Sequence, residues 1–287
     1  MSEARVLLGL IGAGIQRSLT PSMHEEEGAC HGLRVHYQLI DLDRSGRGVE
    51  ALPTLLDAAR VMGFSGLNIT FPCKQAVIPL LDDLSADARA MGAVNTVVND
   101  GGRLVGHNTD GSGWRWGFTR ALPQADLSCV VLLGAGGAGS AIAHALLGMG
   151  CERLVLVDHE AARARALATE LGRLHGTTRV VSADHPASVI AAATGLVHAT
   201  PTGMDKLPGL PLPAELLHPR LWVAEIVYFP LETALLKAAR AIGCATVDGG
   251  TMAVGQAVDA FGLFTGRTAD PQRMQAHFRL LLQTRVD

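Results

Sequence analysis

The chain has 287 residues, 48% of them hydrophobic, and a formal net charge of -3, which is apolar material for two cores and too little positive charge for a nucleic-acid surface. Its five cysteines, Cys30, Cys73, Cys129, Cys151 and Cys244, are scattered and form no C-x-x-C pair, which argues against a disulfide framework or zinc knuckle and fits a reducing cytoplasm. No apolar run reaches the ~20 residues of a membrane span, and the glycine-broken stretch Val6–Ile15 reads as strand and loop rather than as a signal peptide.

The first half alternates strand and helix patterns. Val6–Ile11 reads as a buried strand and Pro21–Gly32 as a helix, with Thr20 as its N-cap. Tyr37–Leu42 is a strand, Val49–Met62 an amphipathic helix and Leu67–Thr70 a strand; short helices follow at Lys74–Leu81 and Ala86–Met91. Val94–Val98 and Arg103–Gly106 flank Asn99-Asp100-Gly101-Gly102, a hairpin turn. The pattern restarts near Gly111. Strands are expected at Cys129–Leu133, Arg153–Asp158, Arg179–Ser182, Leu196–Ala199, Trp222–Val227 and Ala245–Val247. Helices are expected at Gly137–Met149, Ala161–Leu171, Ala187–Ala193, Met252–Phe264 and Pro271–Gln283, and the proline-rich stretch Pro201–Pro219 reads as a loop. Alternation of this kind argues two α/β domains with mostly parallel sheets and a cleft between them. The expected boundaries are 1–110 with 251–287 for one domain and 111–250 for the other.

The strand at Cys129–Leu133 runs into Gly134-Ala135-Gly136-Gly137-Ala138-Gly139. In a G-x-G-x-x-G element the first glycine permits the tight turn, the second lets the backbone approach a pyrophosphate, and the third lets helix pack on strand. The free N–H groups of the helix start then meet the phosphate charge. Alone, the motif is weak; here a strand precedes it, a helix follows it, and a second strand ends at Asp158, which makes this a Rossmann-type dinucleotide site. A carboxylate at Asp158 accepts hydrogen bonds from ribose hydroxyls and repels a 2′-phosphate, which predicts NAD, with NADP as the alternative. Arg163 in the next helix could instead meet a 2′-phosphate, although a solvated helix residue is its plainer reading.

Polar residues also gather in Ser18-Leu19-Thr20-Pro21, in Asn68-Ile69-Thr70-Phe71-Pro72-Cys73-Lys74, in Gly92–Val97, and in Asn108-Thr109-Asp110-Gly111. Singly, each has a plain reading. Ser18 and Thr20 could cap a helix, Lys74 could be solvated, Asn95 could sit in a turn, and Asp110 could cap the helix after it. Jointly, hydroxyls, amides, one lysine and one carboxylate beside a dinucleotide fold suit a polyhydroxylated acid.

These segments, with Ser22-Met23-His24, Ala199-Thr200-Pro201-Thr202-Gly203-Met204, Val227-Tyr228-Phe229-Pro230 and Asp248-Gly249 through Gln256, resemble the shikimate/quinate dehydrogenase family over nearly the whole chain. The resemblance points in particular to its NAD-dependent quinate/shikimate branch. The resemblance implies that Ser18 and Thr20 bind the substrate carboxylate. It implies that Thr70, Asn95 and Gln256 hold ring hydroxyls with Asn68 and Tyr228 near the pocket, and that Lys74 and Asp110 flank the oxidised hydroxyl. It further implies that Thr200, Met204, Val227, Gly249 and Met252 line the nucleotide site. There are departures. Thr20 stands where many biosynthetic members have serine, Asp158-His159 where NADP-type members have an Asn-Arg pair, and His198 where asparagine is common.

Oxidation of an alcohol removes a hydride from carbon and a proton from oxygen, so Lys74 is expected to exchange that proton and Asp110 to orient Lys74 and the hydroxyl. The rival readings are an aminoshikimate dehydrogenase-like enzyme, a strict NADP-dependent shikimate enzyme, and a nucleotide-sensing module without turnover. The expected partners are small molecules, with the chain a monomer or homodimer, and no metal is expected. His24, Glu27 and His31 share a helical spacing that reads as a solvated face rather than as a metal site. Cys73 reads as a packed thiol.

Overall fold

The computed structural model describes residues 4–176 and 178–284. The first half runs β1 (Ala4–Gly12), α1 (Thr20–Cys30), β2 (Leu33–Asp41), α2 (Leu42–Ser45), α3 (Leu52–Met62), β3 (Gly66–Ile69), α4 (Cys73–Ala76), β4 (Asp83–Leu84), α5 (Ala86–Met91), β5 (Thr96–Asp100) and β6 (Arg103–His107). The second runs α6 (Asp110–Ala121), β7 (Val130–Leu133), α7 (Gly137–Gly148), β8 (Leu154–Val157), α8 (Ala161–His175), β9 (Val180–Ser182), β10 (Gly195–His198), β11 (Trp222–Glu225), α9 (Ala234–Ala241) and β12 (Ala245–Val247). Two helices close the chain, α10 (Gly249–Thr265) and α11 (Pro271–Gln283). The chain divides into two compact units, Met1–Thr109 with Val254–Asp287, and Asp110–Ala253.

The first unit has a mixed six-stranded sheet in the order β2-β1-β3-β5-β6-β4. β1 is parallel to β2 and β3, while the turn at Asn99–Gly102 makes β5 and β6 an antiparallel hairpin. One face packs Ile11, Leu52, Leu56, Leu67, Ile69 and Val97 into an apolar core. The other packs Leu8, Leu10 and Tyr37 under Ala260 and Phe264 of α10.

The second unit has a six-stranded, all-parallel sheet in the order β12-β11-β10-β7-β8-β9. This is the doubly wound order in which two halves diverge from a central pair of strands, here β7 and β10. Strands buried on both faces read as continuous apolar runs, as Val130–Leu133 and Leu154–Val157 do.

Three local expectations are corrected. Thr20 does not cap α1: it is the first helical residue, Leu19 occupies the cap position, and no side chain caps the end. Ser18 Oγ instead accepts the Thr20 N–H at 3.3 Å. The helix expected over Ala187–Ala193 is two 3-10 turns, Pro186–Ser188 and Ile190–Ala192, since a segment this short cannot repay helix nucleation. The third correction concerns His24 and Glu27, which are not solvated but 0% and 1% exposed. His24 lies among Tyr37, Phe261 and Phe264 with no hydrogen-bond partner at either ring nitrogen among the described residues. Burial pushes its pKa down to about 3, against a weaker upward pull from Glu27. Glu27 accepts two bonds from the Arg273 guanidinium at 2.6 and 2.8 Å and the Asp270 N–H at 2.8 Å. Burial raises its pKa, but the bonds to Arg273, Asp270 and His31 outweigh that and leave it lowered.

Candidate active site

Four of the residues expected on the substrate side, or next to them, lie at or just beyond the ends of strands of the first unit. Thr70 follows β3, Lys74 lies in α4, Asn95 precedes β5 and Thr109 follows β6. Short backbone bonds fix these ends: Thr70 N–H donates to Ile11 at 2.9 Å, and Val94 N–H donates to the Lys74 carbonyl at 2.9 Å. Asn95, 2% exposed, is the hub. Its carbonyl oxygen accepts the Thr109 N–H at 2.8 Å and the Thr96 hydroxyl at 3.0 Å. Its amide donates to Thr109 Oγ1 at 2.9 Å and to Gln256 Oε1 at 3.5 Å. Thr109 also donates to the Gln256 carbonyl at 3.1 Å. Strand ends and α10 are thereby tied together, and Asp110 is the residue immediately after Thr109.

Ser18 and Thr20 form a hydroxyl pair, with Ser18 Oγ 3.1 Å from Thr20 Oγ1. Asn68 is more deeply committed than the sequence suggests. It is 3% exposed; its oxygen accepts the Tyr37 hydroxyl at 2.7 Å, and its nitrogen donates to the Asn95 carbonyl at 3.3 Å and to Thr96 at 3.1 Å. A side chain so engaged braces Asn95. Cys73 is fully buried and its thiol is pushed up to about 11 by desolvation, as befits a packed thiol.

In the second unit Asp110 opens α6 and is 4% exposed. Tyr228 lies within reach of its charge. The phenol is pushed up first by burial and then by that carboxylate, so the structure brings two of the expected site residues together.

The glycine loop has the features of a phosphate cradle. Gly134 has φ +104°, and a Cβ there would meet the Ala199 carbonyl oxygen at 2.5 Å. A Cβ on Gly139 would meet the Gly134 oxygen at 2.0 Å, so both positions exclude any side chain. At Gly136 a Cβ would meet nothing within 4 Å. Gly136 is the N-cap of α7 and no side chain caps that end, so by helix geometry the N–H groups of Gly137, Ala138 and Gly139 have no intrahelical acceptor. Open space above uncapped donors fits a dinucleotide pyrophosphate. Asp158, just past β8 and 7% exposed, accepts the Ala135 N–H at 2.8 Å and the Glu160 N–H at 2.9 Å, with the His159 ring at 3.0 Å. Its carboxylate therefore ties the glycine loop to the end of β8. Arg163 is half exposed and paired with Glu160 at 2.9 Å, its plainer reading.

Thr200, Met204 and Val227 follow the ends of β10 and β11, and Gly249 and Met252 open α10. Met204 is 39% exposed, whereas Val227 and Met252 are buried. Two participants escape the sequence reading. Thr109 lay inside a noted motif without an assigned role. Glu225, a carboxylate inside the apolar run Trp222–Val227, is 2% exposed, and a charge in such a run was the signal that could have found it. Among the described residues no group of three or more His, Cys, Asp or Glu side chains is placed to hold a metal ion, and no helix is long and apolar enough to cross a membrane.

A family model, the shikimate dehydrogenase substrate binding domain, matches residues 10–97. The chain is 58% identical to a shikimate dehydrogenase (NADP(+)) of Streptomyces avermitilis, over 99% of this chain and 98% of that one. It is 50% identical to a quinate/shikimate dehydrogenase (NAD(+)) of Corynebacterium glutamicum, over 95% and 98%. The solved structure of quinate dehydrogenase from Corynebacterium glutamicum in complex with NAD superposes with a TM-score of 0.90 at 49% identity, covering 97% of this chain and 100% of that one. By sequence over its full length and by fold, the chain belongs to the shikimate/quinate dehydrogenase family of nicotinamide-dependent oxidoreductases.

Proposed function

We propose that the protein catalyses the reversible oxidation of one hydroxyl of shikimate to 3-dehydroshikimate, of quinate to 3-dehydroquinate, or of both, with NAD preferred over NADP. The unit holding β1–β6 binds the acid and the unit holding β7–β12 binds the dinucleotide. The observation that carries the reading is the bonded set that runs from the Lys74 carbonyl to Val94, and from the neighbouring Asn95 to Thr109 and Gln256. It fixes the backbone at Lys74 and joins the side-chain amides of Asn95 and Gln256, donors and acceptors suited to a polyhydroxylated acid.

In this reading Ser18 and Thr20 donate hydroxyl hydrogens to the substrate carboxylate, and Thr70, Asn95 and Gln256 hold ring hydroxyls. Lys74 takes the proton from the reacting oxygen at Nζ and returns it in the reverse direction, while Asp110 orients Lys74 and that oxygen. A bound nicotinamide supplies the hydride acceptor or donor. Asp158 supports the NAD preference, because its carboxylate repels a 2′-phosphate. The extra methyl of Thr20, relative to serine, favours quinate as a second substrate. The reading calls for no macromolecular partner beyond a second copy of the chain, and for a cytoplasmic location.

The test is an initial-rate assay of quinate and shikimate, each with NAD and with NADP. Turnover of both acids with NAD is expected. Turnover of shikimate alone with NADP would keep the family chemistry and overturn the roles given to Asp158 and Thr20. Silence in all four assays would overturn the substrate assignment.

A further inference from the structure

The reading above places Thr200 and Val227 at the dinucleotide, and one buried cluster holds both. His198 and Glu225 end the adjacent strands β10 and β11, are register partners, and have fully buried side chains. His198 Nδ1 lies 2.9 and 3.0 Å from the two Glu225 oxygens, and its Nε2 lies 2.5 Å from Thr200 Oγ1. Glu225 Oε1 also accepts the N–H groups of Ile226 and Val227 at 2.9 and 3.0 Å. Its Oε2 accepts the Thr233 hydroxyl at 3.1 Å, and Thr233 Oγ1 accepts the Leu236 N–H that caps α9.

A carboxylate only accepts, so the hydrogen shared with His198 resides on Nδ1. A neutral imidazole protonated there presents a lone pair at Nε2, and the Thr200 hydroxyl must donate into it. The Thr202 N–H also points at Thr200 Oγ1, at 3.3 Å. Thr200 has then used its only hydrogen inward, and its remaining outward capacity is as an acceptor.

We propose that His198 and Glu225 are positioning residues that set the polarity of the Thr200 hydroxyl, turning it into an acceptor for an N–H or O–H donor of the bound dinucleotide, while the same carboxylate holds the Val227 backbone. This rests on the assignment of Thr200 to the dinucleotide site. Histidine in place of the family's common asparagine is explained by it, because an imidazole spans from Glu225 to Thr200 with a donor at one end and an acceptor at the other.

The first measurement is 15N NMR of histidine-labelled full-length protein without ligand, with the His198 signals identified by their loss in His198→Asn. A neutral ring protonated at Nδ1 is expected; the Nε2–H tautomer or a doubly protonated ring overturns the proposal. The second is a double-mutant cycle on the dissociation constant of NADH, read by fluorescence titration. Glu225→Gln is isosteric: the Ile226 and Val227 N–H groups keep its oxygen at the Oε1 position, while its amide nitrogen replaces Oε2 beside His198 Nδ1. The ring hydrogen is then no longer held on Nδ1 by two acceptors, and the Thr200 hydrogen is released to turn outward. About tenfold weaker binding is expected, the loss of one good hydrogen bond, with a larger effect on KM for NAD than on kcat. Thr200→Val should weaken binding similarly, and adding Glu225→Gln to it should cost nothing further. Losses that simply multiply overturn the positioning role while leaving the dinucleotide reading intact. A Thr200→Val protein that binds NADH normally overturns both. If Glu225→Gln does not fold, the ring state of the unmutated protein and the effect of Thr200→Val still decide.

Discussion

In the proposed reading the two units meet their small molecules by opposite means. In the first, the expected substrate residues are side chains bonded to one another: Asn95 joins Thr96, Thr109 and Gln256, and Asn68 braces Asn95 from behind. In the second, the expected phosphate contacts are main-chain N–H groups at an uncapped helix start, shaped by glycines that exclude side chains. Side-chain recognition distinguishes hydroxyl positions on a ring but depends on residues far apart in the chain. Main-chain recognition needs only a short local motif and suits a group that every dinucleotide shares.

The largest expected effect breaks the chemistry of the first unit and spares the second. Lys74→Met should lower kcat by roughly a thousandfold, the scale of general acid–base catalysis, with NADH affinity unchanged by titration; near-normal kcat would remove Lys74 from the proton path. Gly139→Ala does the reverse. Its methyl would meet the Gly134 oxygen at 2.0 Å, and a backbone shift worth about 1–3 kcal/mol should weaken NADH binding by about ten- to a hundredfold. Asn95→Ala should raise KM for the acid about tenfold. It should also lower stability by about 1–3 kcal/mol, because Thr109 and Thr96 lose a buried partner; urea unfolding and kinetics on the same sample separate the two effects.

The last effect leaves both sites alone and concerns His24, which keeps its ring neutral in the fold with a pKa lowered from 6.5 to about 3. As pH falls, the unfolded chain takes up that proton first. The stability is complete above pH 6.5 and is lost as pH falls towards 3, by about 1.4 kcal/mol per pH unit. Between pH 7 and pH 5 the protein should therefore lose about 2 kcal/mol through this group. His24→Leu should flatten that loss while holding stability at pH 7, as seen in urea midpoints at the two pH values. An unchanged slope would assign the acid sensitivity elsewhere.

The same contrast explains what was legible beforehand. The glycine loop, its flanking strand and helix, and Asp158 all lie within a short stretch, so spacing alone reveals them, and the alternation of runs reveals two α/β units. The substrate set spans Ser18 to Gln256, and no local pattern joins Asn95 to a glutamine 161 residues later; only the family likeness did. The buried face of His24 and Glu27 was misread for the same reason, since the partner that neutralises Glu27 is Arg273, 246 residues away. His198 stood out as a departure, but its meaning lies in Glu225 on the neighbouring strand.

That distant partnership has a consequence for the newborn polypeptide. The core of the first unit uses Ala260 and Phe264, and the Glu27 carboxylate takes its guanidinium partner, Arg273, from α11. A ribosome that has released β1 to β6 has delivered a sheet lacking its cover and a buried acid lacking its counter-ion. The unit Asp110–Ala253 is contiguous and can close its own core as it emerges, so the part of the protein made first is the part finished last.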